Sequence, residues 1–389
     1  MATNLSLSRP TWSLPALPRF WALAGALACL TLMGAAAGVA RLLAGLGPTT
    51  FLTDSVPWGI WIGFDFALIA FAGAGFTLAA AAHVLHLHRL EPAVRPALFT
   101  GFLGYSAVLL LLVLDLGRPD RFYHFILYWN PHSPLFEISW CVLLYTTVLL
   151  IEVSPDFLGR FGWARLQQWA LRLMPPVCIA GVTLSTLHQS TLGTLYVNMP
   201  HRLHPLWYTP FLPLLFFTSS VAAGLSVALL AYRLAARTRS QPEERRVVED
   251  LASGVTGALL IFLALRGGLL WRENELPLLW PLDRASIAWW IELVAGVALP
   301  LILLVTPRLR RTNLTLWLAP LLVTAGVGLN RFNATLTAQT PPLGSSAYSP
   351  HPLEWLTTIG ILAGAALVWL LAMRFLVSPA IPLAGHGSR

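Results

Sequence analysis

Residues 59–82 read GIWIGFDFALIAFAGAGFTLAAAA, twenty-four positions with a single ionisable side chain, Asp65. A helix that crosses the hydrocarbon core of a bilayer takes about 20 mainly apolar residues. The stretch therefore predicts a membrane-spanning helix, with Asp65 as the exception to be explained. Val56-Pro57-Trp58 leads into it; proline suits a first helical turn and tryptophan suits the membrane interface. Asp65 follows about two turns later, roughly 9 Å into the apolar layer. An ionisable group at that depth costs several kcal/mol unless it is paired or meets water, so it marks a site by default.

The same pattern recurs along the chain. Ten segments qualify as spans, at roughly 20–46, 59–82, 97–114, 134–152, 169–188, 209–232, 251–271, 286–305, 313–331 and 353–376. Of the 389 residues 56% are hydrophobic and 11% charged, and the mean hydropathy is +0.68; a soluble domain would be about a quarter charged. The fold class is an all-α integral membrane protein of about ten transmembrane helices, one polytopic domain over residues 1–389. The longest connections, near 189–208 and 332–352, are too short for a soluble domain, so any redox or catalytic domain must come from another chain. The apolar run after Arg9 and Arg19 is longer than a signal-peptide core and is expected to stay as the first span.

All 25 basic residues are arginine, and their distribution sets an expected orientation, because cytoplasmic loops retain positive charge. With a cytoplasmic N-terminus the inner segments hold Arg9, Arg19, Arg89, Arg95, Arg160, Arg165, the Arg233–Arg246 group, Arg308, Arg310, Arg311 and Arg389. The outer loops keep Arg118, Arg121, Arg202, Arg272 and Arg284. Ten spans then return the C-terminus to the cytoplasm. The net charge of +8 is dispersed over short loops and forms no nucleic-acid-binding domain. Cys29, Cys141 and Cys178 lie in apolar stretches without a CxxC pair, which excludes a disulfide framework and a cysteine-ligated cluster.

In this topology Asp65, Glu137, His188, Arg266 and Glu292 fall on one outer level, as if around one polar cavity. Asp65 either pairs with an arginine such as Arg41 or Arg266, or serves that cavity. Glu137 follows Ser133-Pro134-Leu135-Phe136, barely a turn inside its span; it either snorkels to water or exchanges protons. His188 stands in Thr183-Leu184-Ser185-Thr186-Leu187-His188-Gln189-Ser190-Thr191, a polar end to an apolar helix, where imidazole can bond a carbonyl or pass a proton. Tyr105, nearer mid-membrane, is either a packing residue or an inward extension of a proton path. Asp115 and Arg118, in Asp115-Leu116-Gly117-Arg118-Pro119, either lock a loop or line a cavity mouth. Arg266 and Glu292 are expected to form a structural pair. Glu152 reads as a solvated cap at the inner end of its span.

A bis-histidine haem needs two facing intramembrane imidazoles, and only His188 qualifies. His83, His86 and His88 crowd one inner helix end, a position suited to lipid headgroups. No haem is predicted.

Val56 to Asp65 (VPWGIWIGFD), Arg95 to Phe99 (RPALF), Gly104-Tyr105-Ser106, Asp115 to Pro119 (DLGRP), Leu135-Phe136-Glu137, Leu187 to Ser190 (LHQS) and His204 to Trp207 (HPLW) together carry a resemblance. The chain resembles the NrfD, polysulfide-reductase-type membrane subunits, and among them those of exported Ni/Fe hydrogenases, often labelled b-type cytochrome subunits. The resemblance implies NrfD-like helical bundles, a quinone-site bundle at about 50–232 and a second at about 251–376. It implies a multi-pass subunit of the bacterial inner membrane with menaquinone or ubiquinone as bound substrate, its site toward the periplasm. Electrons would come from a ferredoxin-like iron–sulfur subunit and hydrogenase small and large subunits, which alone hold iron–sulfur clusters and the Ni–Fe centre.

The family's proton-linked positions carry over to Tyr105, Glu137 and His188. Asp65 would shape or relay, and Trp58, Trp61, Asp115 and Arg118 would wall the mouth. A glutamate associated with the sixth span of such subunits has no counterpart in Gly224 to Ala231, which removes that helix as a proton path. A sulfur-compound or formate molybdenum oxidoreductase is the alternative donor complex. A secondary transporter or proton channel is the alternative of another class, disfavoured by the lack of paired broken helices.

Overall fold

The structure, a computed structural model, describes residues 18–84, 87–339 and 348–377. The expected cytoplasmic ends, with Arg9 and Arg389, and His86 of the histidine trio lie outside the described residues. Ten helical segments stand where the ten spans are expected: α1 (Pro18–Ala44), α2 (Ile60–Ala79), α3 (Glu91–Asp115), α4 (Pro134–Arg160), α5 (Ala164–Val197), α6 (Leu212–Arg239), α7 (Arg245–Arg272), α8 (Arg284–Val305), α9 (Thr315–Phe332) and α10 (Pro352–Phe375). Wide π-turns extend α2 (Ala80–Val84) and α9 (Asn333–Thr337) and interrupt α8 (Val294–Ala298). Nine of the ten are long and apolar enough to cross a membrane by length and composition, among the described residues. The exception is α9, whose 18 residues end with Asn330 and Arg331 in the last turn.

Several spans run further than the apolar pattern predicts, and in α5 the reason is local hydrogen bonding. Serine and threonine hydroxyls can bond the carbonyl one turn back and so keep a polar run helical. Along α5, Thr183, Thr186, Ser190, Thr191 and Thr194 donate to the carbonyls of Ile179, Val182, Thr186, Leu187 and Ser190. The helix therefore continues to Val197, and His188 is interior to it rather than at its edge. Similarly α4 continues through Pro155 to Arg160. Glu152 is accordingly no solvated cap: it is buried, 4% exposed.

The interior belongs to α2 and α6, whose most apolar stretches are 78% and 72% buried against 22% for α1. Their closeness depends on Gly73 and Gly224, since a Cβ on Gly224 would lie 2.7 Å from the Gly73 carbonyl carbon. Around this pair α3 and α9 pack on α2, α5 and α7 pack on α6, and α4 pairs with α5. The outlying α1 is held by α10, where Gly34 and Gly360 touch backbone to backbone.

One buried staple fixes the start of α2. The Ile60 amide donates to the Tyr348 hydroxyl at 2.8 Å, and Tyr348 donates to Glu354 Oε1 at 2.6 Å. An orphan amide of the first helical turn is thereby satisfied. Burial and the Glu354 carboxylate push the Tyr348 hydroxyl above its ordinary range.

Gly224→Ala should force α2 and α6 apart and destabilise the protein by about 2 kcal/mol, the usual cost of overpacking. Gly257→Ala on α7, where the methyl meets nothing within 4 Å, should leave the melting temperature in detergent unchanged or raised. Equal melting of the two variants would contradict the close crossing.

Candidate functional site

At the centre of the first polar cluster α3 and α5 bring two side chains into direct contact. The Tyr105 hydroxyl lies 2.8 Å from His188 Nδ1, and both residues are fully buried. Tyr145, on α4, packs edge-on against Tyr105 at 4.7 Å between ring centres. With Nδ1 engaged, the other imidazole nitrogen, His188 Nε2, is buried without a partner. If the tyrosine donates, Nε2 carries the proton and is a donor; if it accepts, Nε2 is an acceptor. Either way the tyrosine bond fixes the ring and leaves one proton-competent nitrogen free.

The neighbouring residue on α5, Gln189, ties the site to α2. Its amide nitrogen donates to the Ile69 carbonyl at 2.7 Å, one turn beyond Asp65, while its Oε1 is buried without a partner. Asp65 is 3% exposed, and its Oδ1 also lacks a partner. It lies within electrostatic reach of Tyr105 and Asp115. Neither Arg41 nor Arg266 pairs with it: Arg41 donates to the Leu116 carbonyl, and Arg266 to the Leu206 carbonyl.

Glu137 enters from the end of α4. Thr191 donates to its Oε1 at 2.7 Å and shares the same proton with the Leu187 carbonyl. Thr191 lies three residues beyond His188 and so on the same face of α5. Glu137 is half-buried, in the first turn of α4.

The structure thus brings Tyr105 and His188 into contact, sets Glu137 against Thr191 one turn along α5, and places Asp65 within electrostatic reach of Tyr105. Trp58 is half-buried against Phe66 and Tyr196. The remaining expected wall residues point elsewhere. Trp61 is fully buried and donates to Thr357 on α10 at 3.0 Å, because its face of α2 packs toward that helix. Arg118 holds Asp120 through two bonds of 3.0 and 2.8 Å on the exposed loop, and this keeps the Asp120 carboxyl below its ordinary range. Asp115 sits with Arg41 and Glu354, and meets the site only through its reach to Asp65. Tyr145, Ser185, Gln189 and Thr191 belong to the cluster without having been singled out in the sequence. Their signal was present: three fall in the polar run of α5, and Tyr145 follows Glu137 by eight residues, on one helical face.

Arg266 and Glu292 make no ion pair within 4 Å among the described residues, contrary to the expected pairing. Glu292 instead accepts from Trp207 Nε1 at 3.0 Å, Asn330 at 2.7 Å and Asn333 at 3.1 Å. The cation beside it is Arg331, fully buried, which donates to the Phe216 carbonyl, Ser219 and Asn330 and lies 3.8 Å over the Phe216 ring. Three neutral donors, one indole and two amides, bond the carboxylate directly, while the buried cations Arg331 and Arg266 act on it only through space. A cavity of about 20 Å³ borders Glu292 and Asn330; that volume has room for a water molecule but not for a ring-shaped ligand.

The ring contact of His188 is with Tyr105, and His88, His124, His132, His201, His204 and His351 fall in loops or at helix ends.

Residues 48–342 match the family described as Polysulphide reductase, NrfD. A protein of Nitratidesulfovibrio vulgaris is 36% identical, covering 90% of this chain and 91% of its own length. The probable Ni/Fe-hydrogenase 2 b-type cytochrome subunit of Escherichia coli K12 is 32% identical over 88% of both chains. The menaquinone reductase integral membrane subunit of Nitratidesulfovibrio vulgaris is 29% identical over 86% of both.

Glu292→Ala strands two buried donors, Trp207 and Asn333, and the half-buried Asn330, each buried one costing about 1–3 kcal/mol. The variant should lose at least about 2 kcal/mol and melt well below the wild type in detergent, whereas Arg118→Ala should melt with it. A Glu292→Ala protein of unchanged stability would contradict the hydrogen-bonded role.

Proposed function

The chain belongs to the NrfD polysulphide reductase family, and from that premise we propose that it is the quinone-reactive membrane subunit of a respiratory oxidoreductase complex. The observation that carries this reading is the buried Tyr105–His188 bond with the unpartnered Nε2 behind it. Gln189 Oε1 and Asp65 Oδ1, also buried without partners, supply further hydrogen-bonding capacity on the walls formed by α5 and α2. Buried polar atoms are nearly always satisfied, so a group of this kind suits a ligand with its own carbonyl or hydroxyl oxygens. A quinone headgroup has two such oxygens on an apolar ring, and its reduction to quinol takes two electrons and two protons.

The residues divide that work. His188, oriented by Tyr105, offers Nε2 to one oxygen and holds or moves a proton there. Glu137, with one side toward the outer end of the bundle and the other bonded to Thr191, exchanges protons between the site and water. Asp65 shapes the wall on α2 and relays, and Trp58 flanks the entrance with Phe66 and Tyr196. No redox-active group of the chain itself is needed, because electrons pass to the quinone from an iron–sulfur partner subunit.

For the donor complex we favour a [NiFe] hydrogenase with its small, large and ferredoxin-like subunits, facing the periplasm of a bacterial inner membrane. The similarity to the Escherichia coli subunit over nearly the whole chain supports that choice. The similarity to a menaquinone reductase subunit supports the quinone half and menaquinone as a substrate.

In the intact complex, His188→Ala and Glu137→Ala should each slow quinone reduction, the double variant by about 100-fold, the low end of general acid–base contributions. Reduction of a soluble dye by the donor subunits should be unaffected. Full quinone reduction by the double variant would refute the proposal.

A further inference from the structure

Arg233 and Arg237 stand four residues apart near the end of α6, so they share one face of that helix. Like charges at this spacing repel and weaken a helix unless something compensates them. Both guanidiniums lie over a single ring, that of Trp317 on α9, at 4.2 and 4.4 Å from its centre, and they are within electrostatic reach of each other. The indole face attracts each cation and offsets part of the repulsion. It supplies no counter-charge.

The neighbouring acid does not balance the pair. Arg233 is 2% exposed; its Nε donates to Glu243 at 2.8 Å and its Nη2 to the Asn313 side chain. Its remaining nitrogen, Nη1, is buried without a partner, and so is the Trp317 indole Nε1. Arg237 is exposed and makes no ion pair within 4 Å among the described residues. Arg239, two residues further on, turns instead to the Met373 carbonyl on α10. Two cations thus meet one carboxylate, and two buried N–H groups in the same cluster are unused.

One surplus positive charge with free donors is the complement of a phosphodiester, which carries one negative charge and accepts hydrogen bonds through its oxygens; guanidinium groups match that geometry. The surroundings favour a lipid over a free anion. Leu314, Leu318 and Leu321 follow at steps of four and three along α9 and are 73%, 38% and 51% exposed, which makes one apolar stripe. On α6, Leu234 stands three residues before Arg237, on its face, and is 44% exposed. Apolar side chains therefore run on from the basic end toward the middle of the bilayer, where an acyl chain can lie against them.

We propose that Arg233, Arg237 and Trp317 form a binding site for the phosphate of an anionic phospholipid, where the end of α6 meets the start of α9. Arg237 holds phosphate oxygens from the exposed side, and Arg233 Nη1 and Trp317 Nε1 donate to them from the buried side. By the loop arginines this end of the bundle is expected to face the cytoplasm, and basic pockets between helices on that side suit phospholipid headgroups. The bound lipid relieves the repulsion within α6 and joins the central helix to α9. The proposal does not rest on the quinone reading.

The test uses the full chain, stripped of lipid in a neutral detergent and titrated with phosphatidylglycerol, with retained lipid counted by native mass spectrometry. Arg237→Gln, a change at an exposed position, should weaken binding about tenfold, the loss of one charge-assisted hydrogen bond. Trp317→Phe keeps the ring, removes only the N–H and should weaken binding as well. Arg165→Gln, at the exposed start of α5, should bind as the wild type does, and millimolar inorganic phosphate should not displace the lipid. Binding that is equal in the wild type, Arg237→Gln and Trp317→Phe overturns the inference. So does an equal loss in Arg165→Gln, which would show diffuse charge attraction, and so does displacement by inorganic phosphate, which would assign the cluster to a soluble anion.

Discussion

Hydrocarbon offers a polar side chain no solvent partner, so each hydroxyl, amide and carboxyl in these helices must be met inside the bundle or cost several kcal/mol. That constraint decides which faces of α2, α3, α4 and α5 turn toward one another. The contact of Tyr105 with His188 joins α3 to α5, Gln189 to the Ile69 carbonyl joins α5 to α2, and Thr191 to Glu137 joins α5 to α4. Three helices are thus indexed against α5 by single bonds. The same side chains that set the packing carry the proposed chemistry.

The two polar regions solve the problem differently. Around Glu292 the carboxylate receives three neutral donors, and Arg331 is spread over a carbonyl, a hydroxyl, an amide oxygen and an aromatic face. Most of the hydrogen-bonding capacity there is used, which is the signature of a structural network. Around His188 three buried polar atoms are left over: His188 Nε2, Gln189 Oε1 and Asp65 Oδ1. Satisfied and unsatisfied polarity, more than the presence of charge, separates the network around Glu292 from the cluster around His188 that we propose meets a ligand.

Much of this is legible in the sequence, and where it is not the cause is definite. Apolar length places all ten helical segments, because in a bilayer composition alone carries the signal. It misplaces the ends of α4 and α5: hydropathy falls at Glu152 and at Thr183–Thr191, yet back-bonded hydroxyls and inter-helix partners keep the backbone helical. Glu152 therefore looks like a cap and His188 like an edge residue, although both are interior. Tyr105, Glu137, His188 and Asp65 can be picked out by type and motif. Which of them touch depends on helix rotation, which nearly uniform apolar helices such as α2 and α3 do not announce. Trp61 shows this limit, since its position in the motif suggests a wall while its rotation sends it to Thr357. The pairing expected of Arg266 and Glu292 fails for a related reason, because two opposite charges at one depth need not share a facing stripe.

The central claim is that the buried set around His188, and not the set around Glu292, receives a quinone headgroup. Photolabelling of the intact complex with an azidoquinone, followed by peptide mapping, tests it most directly. The account predicts label on the α3 and α5 peptides that bear Tyr105 and His188, suppressed by excess unlabelled quinone. Suppressible label confined to peptides of α8 and α9 bearing Glu292 and Arg331 would contradict it.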